Sequence, residues 1–148
     1  MKNTIATISL VFGLSFTANA QDVPSTISTS FSKKFPDAKA VKWEKENAEE
    51  WEAEFRMDGI NYSANYSADG KWKETEQKIL VNDLPKPIKS MILTKYSSYK
   101  IDQAEILETP DFKGYEVELE NKEQTIILLL DKSGKIIKEE IEKEEADD

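Results

Sequence analysis

The chain of 148 residues contains no cysteine and no histidine. Without cysteine there are no disulfides, no thiol catalysis and no lipid-modified N-terminal Cys. Without histidine the commonest general base, the commonest transition-metal ligand and the near-neutral pH switch are all missing. Ser-His-Asp chemistry is therefore excluded. Long apolar runs are also missing: the only candidate, Ile5–Phe16, is shorter than the ~20 residues that span a bilayer. That run follows Lys2 and ends in Ala18-Asn19-Ala20, the small-x-small pattern of a signal-peptidase site. Residues 1–20 are accordingly predicted to be a signal peptide, and the mature protein to start at Gln21.

Positive charge is in short supply. Lys and Arg number 20 against 29 Asp and Glu, a formal net charge of −9. This balance disfavours nucleic acid and anionic membrane surfaces, and it keeps an exported protein soluble. The acid is densest at the end, in "KEEIEKEEADD" from Lys138. Residues 142–148 are read as a disordered acidic tail.

What the chain does have is an internal repeat. "DVPSTI" from Asp22 returns as "DLPKPI" from Asp83. At an offset of 61 residues, Ile27 meets Ile88, Phe31 meets Ile92 and Phe35 meets Tyr96. At 64 residues, Trp51, Ala53 and Phe55 meet Tyr115, Val117 and Leu119, while Tyr62, Ala64 and Tyr66 meet Ile126, Leu128 and Leu130. The second copy thus carries about three extra residues, placed between Tyr96 and Thr109. The predicted units are 21–79 and 80–141.

Each unit opens with apolar residues four apart, the stripe of a helix, with a proline near its first turn. The period then changes to two. "WEAEFRM" and "INYSANYSA" alternate around Asp58-Gly59, which supplies a hairpin turn. The expected fold is α+β: two tandem units, each a helix plus a four-stranded antiparallel meander, joined into one continuous sheet with both helices on one face. The linker "VNDLPKP" has no flexible Gly/Ser stretch, so one rigid body is expected.

With these residues in view, the chain resembles the beta-lactamase-inhibitor-like, PepSY-like proteins of Gram-negative bacteria. The resemblance is carried by "VPSTISTSFSKKFPDAKAVKWEKE" from Val23, "EAEFRMDG" from Glu52, "SADGKWKETE" from Ser67 and "LPKPIKSMILTKY" from Leu84. It implies an exported, non-enzymatic protein with tandem helix-plus-sheet repeats. The family takes its name from a fold-level likeness to a secreted inhibitor of class A beta-lactamases, whose concave sheet grips its target. This chain lacks the disulfides of that inhibitor.

Trp43, Trp51, Phe55, Tyr62 and Tyr66 alternate as core residues should. Glu52, Glu54, Arg56, Asn61, Ser63 and Asn65 are read as solvated residues of the opposite face. There the copies diverge, because Ser63 and Asn65 correspond to Ile127 and Leu129. Two readings follow for "TIILLLD": a strand covered on both faces, or an apolar patch ringed by Glu116, Glu118 and Glu120 that binds a partner. Arg56 and Asp58 join the candidate partner-binding residues, and the turns Asp58-Gly59 and Asn121-Lys122 are placed at the rim. No catalytic or metal constellation is recognised, no twelve-residue calcium loop is present, and no cofactor is expected. The expected protein is a periplasmic or secreted monomer that sequesters or inhibits an envelope protein such as a protease or hydrolase. It neither binds nucleic acid nor inserts into the membrane. An envelope scaffold binding a small ligand, peptide or cation is the alternative.

Overall fold

In a computed structural model, residues 22–143 form two helices and one eight-stranded antiparallel sheet. The predicted signal peptide and the tail beyond Lys143 lie outside the described residues. Helix α1 (Ser25–Lys34) precedes β1 (Lys39–Asn47), β2 (Glu50–Met57), β3 (Ile60–Ser67) and β4 (Trp72–Lys78). After a 3₁₀ turn at Val81–Asp83, α2 (Lys86–Lys95) precedes β5 (Lys100–Glu108), β6 (Lys113–Glu120), β7 (Gln124–Leu130) and β8 (Ile136–Lys143). The strands lie side by side in sequence order. The last strand extends two residues past the expected end of the second unit.

Helix α1 is not held by propensity. The sequence of α1, STISTSFSKK, is rich in Ser and Thr, and Ser28 and Ser32 turn their hydroxyls back to the carbonyls of Ser25 and Ser28. Packing of one face supplies the stability instead. Pro24 and Pro85 are the N-cap residues, one position earlier than the first helical turn. Ile27 and Phe31 are buried among Trp51, Ala53, Phe55, Ala64 and Tyr66. Ile88 and Ile92 are buried among Ala104, Val117, Leu119, Ile126, Leu128 and Leu130. Trp43 and Tyr62 pack against the first cluster, as their alternation predicts. Val41 departs from it: a bulge between Lys39 and Lys42, with Ala40 at φ 53°, leaves Val41 exposed at the sheet edge.

Directly opposed residues share a face of the sheet. One row runs Phe55, Tyr62, Gln77, Ile106, Tyr115, Leu130, Ile136, crossing from β2 to β8. It begins in the α1 cluster and ends in the α2 cluster.

The turns repeat as well. Met57 opposes Ile60, and both loop residues between them, Asp58 and Gly59, have positive φ, the two-residue hairpin that Asp-Gly favours. Gly70 and Gly134, in the β3–β4 and β7–β8 turns, each press against the start of their own unit's helix. A Cβ on Gly70 would lie 3.1 Å from the Thr26 carbonyl oxygen, and one on Gly134 would lie 3.1 Å from that of Pro87. Polar roles in these turns are exchanged: Ser67 donates to Asp69 in the first, whereas Asp131 accepts from Ser133 in the second.

Gly134→Ala is expected to destabilise the protein by about 2 kcal/mol in chemical denaturation, since left-handed backbone costs ~1–2 kcal/mol and the Pro87 backbone cannot yield. Gly59→Ala meets nothing within 4 Å and should cost about half as much.

Candidate functional site: a carboxyl-lined cavity on the sheet

Period-two alternation sends Glu52 and Glu54 of β2 to the face opposite Ala53, and Glu116 and Glu118 of β6 to the face opposite Val117. On that face, one row runs Lys42, Glu54, Ser63, Glu76, Leu107. The next runs Lys78, Glu105, Glu116, Leu129, Lys138. Their members from Lys42 to Glu76 and from Lys78 to Glu116 line a cavity of about 380 Å³, together with Glu52 and Glu118. Lys42, Arg56, Lys78, Ser63 and Gln103 complete much of its wall.

The glutamates are not uniformly solvated. Glu52 and Asn65 are each only 3% exposed, which corrects the reading of this face as ordinary solvated surface. Alternation assigns a side chain to a face, but neighbouring long side chains decide its depth. Glu76 is buried too; its Oε2 accepts a hydrogen bond from Ser63 Oγ at 3.0 Å. Gln103 Nε2 donates to Glu118 Oε2 at 3.3 Å. One carboxylate oxygen each of Glu76, Glu105 and Glu116 lie within 4.8 Å of one another. Glu116 Oε2 is buried without a hydrogen-bond partner.

Electrostatics follow from this geometry. Burial pushes the Glu116 carboxyl up to about 9, and Glu76, Glu105, Glu74 and Glu118 add to it. Glu76 rises to about 8, first by burial, then by Glu105 and Glu74, with the Ser63 hydrogen bond and Lys78 opposing. Glu52 rises to about 8 through burial and its neighbour Glu46. Glu105 and Glu118 are raised chiefly by burial. Burial and crowding together disfavour the ionised form of these carboxyls.

Of the sequence-predicted site residues, Glu116, Glu118 and Arg56 come together in this cavity. Arg56 also donates to the Gly59 carbonyl at 3.2 Å, beside the exposed Asp58 of the same hairpin. Glu120 is exposed and sits opposite Lys100 and Thr125, outside the lining. Ile127 and Leu129 do not form an exposed patch. They are 1% and 2% exposed and cluster with Leu107 against Phe112. Sequence reasoning missed Glu76 and Glu105, the two carboxyls that adjoin Glu116. They lie on β4 and β5, which belong to different repeats and meet only in the folded sheet.

Phe112 belongs to the extra residues of the second copy. Trp43 pairs with Ala53, ten residues on, whereas the matching Ala104 pairs with Val117, thirteen residues on. The insertion therefore lies in the β5–β6 hairpin, reaching past the predicted limit at Thr109. Thr109 fixes the hairpin tip: its N–H donates to the Phe112 carbonyl at 2.8 Å and its Oγ1 accepts from the Phe112 N–H at 3.1 Å. Gly114 leaves room for the ring, because a Cβ there would lie 2.4 Å from Phe112 Cζ.

Comparison with known proteins agrees with this architecture. The model of a family described as "putative beta-lactamase-inhibitor-like, PepSY-like" matches residues 15–60 and 49–138. The chain belongs to this family. No curated protein matches it. Among solved structures it is similar to a BLIP-like protein of Bacteroides fragilis, with TM-score 0.74 and 22% identity over 88% of this chain and 94% of that one. It is also similar to a DUF2874 family protein of Bacteroides ovatus, with TM-score 0.73 and 17% identity over 82% of this chain and 89% of that one. A third is a putative periplasmic protein of Bacteroides eggerthii, with TM-score 0.72 and 13% identity over 82% and 90%. These likenesses establish the fold of this PepSY-like chain.

Phe112→Ala is expected to uncover Leu107, Ile127 and Leu129. It should cost about 2 kcal/mol of stability, below the ~3–5 kcal/mol of a fully buried Phe, and raise the fluorescence of an added apolar dye. An unchanged denaturation midpoint would show that the ring covers nothing of consequence.

Proposed function

We propose that this PepSY-like protein is an exported, non-enzymatic module that engages a protein or peptide through the sheet face bearing the carboxyl-lined cavity. Both helices cover the other face in this reading, and the continuous row from Phe55 to Ile136 supports it. Export is supported by the signal-like residues 1–20 and by the likeness to a putative periplasmic protein. The Glu and Arg positions of the cavity face carry the contact, while Ile127 and Leu129 are buried with Leu107 under Phe112 and take no direct part.

The observation that carries this reading is the cavity itself. Its volume of about 380 Å³ lies within the ~300–1,000 Å³ range of binding pockets. Its walls are carboxyls that are hard to ionise without a counter-charge. A lysine or arginine side chain entering it would supply that charge, and a buried, hydrogen-bonded charge pair fixes register between partners. Inhibition of an envelope protease or hydrolase would then be steric, with the sheet covering the partner's surface around one basic anchor.

The test uses the mature chain and a panel of peptides matched except for Lys, Arg or a neutral residue at one position, read by fluorescence anisotropy. Basic peptides should bind more tightly, and Glu118→Lys should weaken them about tenfold, the effect of ~1.4 kcal/mol. Equal binding of the neutral peptides, or no effect of the charge reversal, would sink the proposal. Intact mass of the protein secreted by a Gram-negative host should place its N-terminus at Gln21.

A further inference from the structure

The joint between the two repeats is the thinnest line in the sheet. Thr75–Lys78 of β4 pair with Glu105–Glu108 of β5, four opposed pairs, fewer than any other neighbouring strands make. The helices brace it at one end only, where Ile79 reaches the cluster beneath α2. The cluster beneath α1 holds residues of the first repeat alone, and the cluster beneath α2 holds buried residues of the second repeat, with Ile79 and Val81 packed at its margin. A backbone bond from Ile79 N–H to the Ala104 carbonyl, 3.0 Å, extends the joint by one link.

Across this line lie the three clustered carboxyls: Glu76 on β4, Glu105 on β5 and Glu116 behind it on β6. Groups facing them come from every adjoining strand. Glu52 of β2, Glu74 of β4 and Glu118 of β6 add negative charge. Lys78 of β4 and the Ser63 hydroxyl of β3 favour ionisation. From β7 comes only apolar Leu129, opposed to Glu116. Lys42, Arg56 and Glu54 line the same cavity. Lys78 favours ionisation of Glu76 and Glu105, but burial and, for Glu76, carboxyl repulsion outweigh it, so ionising the cluster is unfavourable.

We propose that the β4–β5 joint is a proton-locked seam: protons held among Glu76, Glu105 and Glu116 keep the two repeats zipped, and their loss at alkaline pH separates the repeats along that line. Linkage gives the direction. The folded protein holds these protons at a pH where the unfolded chain has released them. The contribution of these groups to stability is therefore full below the ordinary carboxylate value of 4.5, declines progressively as pH rises above it, and is exhausted once Glu76 and Glu116 have titrated, at about 8 and 9.

Two probes separate the repeats, because all three tryptophans (Trp43, Trp51 and Trp72) lie in the first. Urea unfolding of the mature chain is followed by tryptophan fluorescence, which reports the first repeat, and by far-UV circular dichroism, which reports both. At pH 6 the two transitions should coincide; at pH 9 the midpoints should fall and the two transitions should separate. Glu116→Gln mimics the protonated acid, so it should keep the transitions together at pH 9 and reduce the pH dependence, with Glu76 and Glu52 supplying what remains. Glu105→Gln carries the same expectation if the first variant folds poorly. A midpoint that falls with pH while the transitions stay coincident would assign the cluster to global stability and overturn the seam. Wild-type pH dependence in both variants would overturn it as well.

Discussion

A β-strand can turn only every second side chain to one face. With eight strands in sequence order, that constraint sorts most of the chain. Alternate positions of β2 and β6 and their opposed partners carry the apolar residues of the two clusters; the positions between them carry acid in β2 and β6, amides and hydroxyls in β3, and Ile127 and Leu129 in β7. Because the ladder runs unbroken from β1 to β8, a choice made at Trp51 or Tyr115 propagates across the sheet through opposed pairs. The two helices then have little freedom. Their four-residue stripes fit only where Ala53, Ala64, Ala104 and Val117 leave room for them, and Gly70 and Gly134 let the turns approach each helix start.

The same constraint creates the acidic cavity. Once the apolar residues of β2 and β6 are committed to the helices, Glu52, Glu54, Glu116 and Glu118 have no choice of face. Burial of a carboxyl without a counter-charge disfavours its ionised form. The consequence is a cluster of carboxyls whose ionisation is disfavoured. The two repeats contribute unequally, Glu76 from one and Glu105 and Glu116 from the other, so the cavity is a property of the pair.

Divergence between the repeats is coordinated. Replacement of the Ser63 and Asn65 positions by Ile127 and Leu129 would expose two large apolar side chains. The extra residues in the β5–β6 hairpin bring Phe112 over them, and Gly114 makes space for the ring. Two changes that look separate along the chain, an insertion and a pair of substitutions, are one packing event. The apparent binding patch is therefore a second small core.

How much could be read without coordinates follows from range. Helix stripes, strand alternation, the Asp-Gly turn and the repeat are local or periodic, and they hold here from Ile27 to Ile141. The period is interrupted at the β1 bulge, which leaves Val41 exposed. Ile127 and Leu129 were assigned correctly to a face, yet their cover comes from another hairpin. Glu76 and Glu105 carried no signal, because nothing along the chain announces which strand edge of one repeat meets which edge of the other. The sequence alone determined the elements, their order and the side to which each residue turns, since these depend on backbone periodicity. Only tertiary structure decided depth: which glutamates lose water, which apolar residues gain a lid, and which carboxyls meet across the seam. Depth depends on neighbours distant in sequence, and burial of charge is governed by those neighbours.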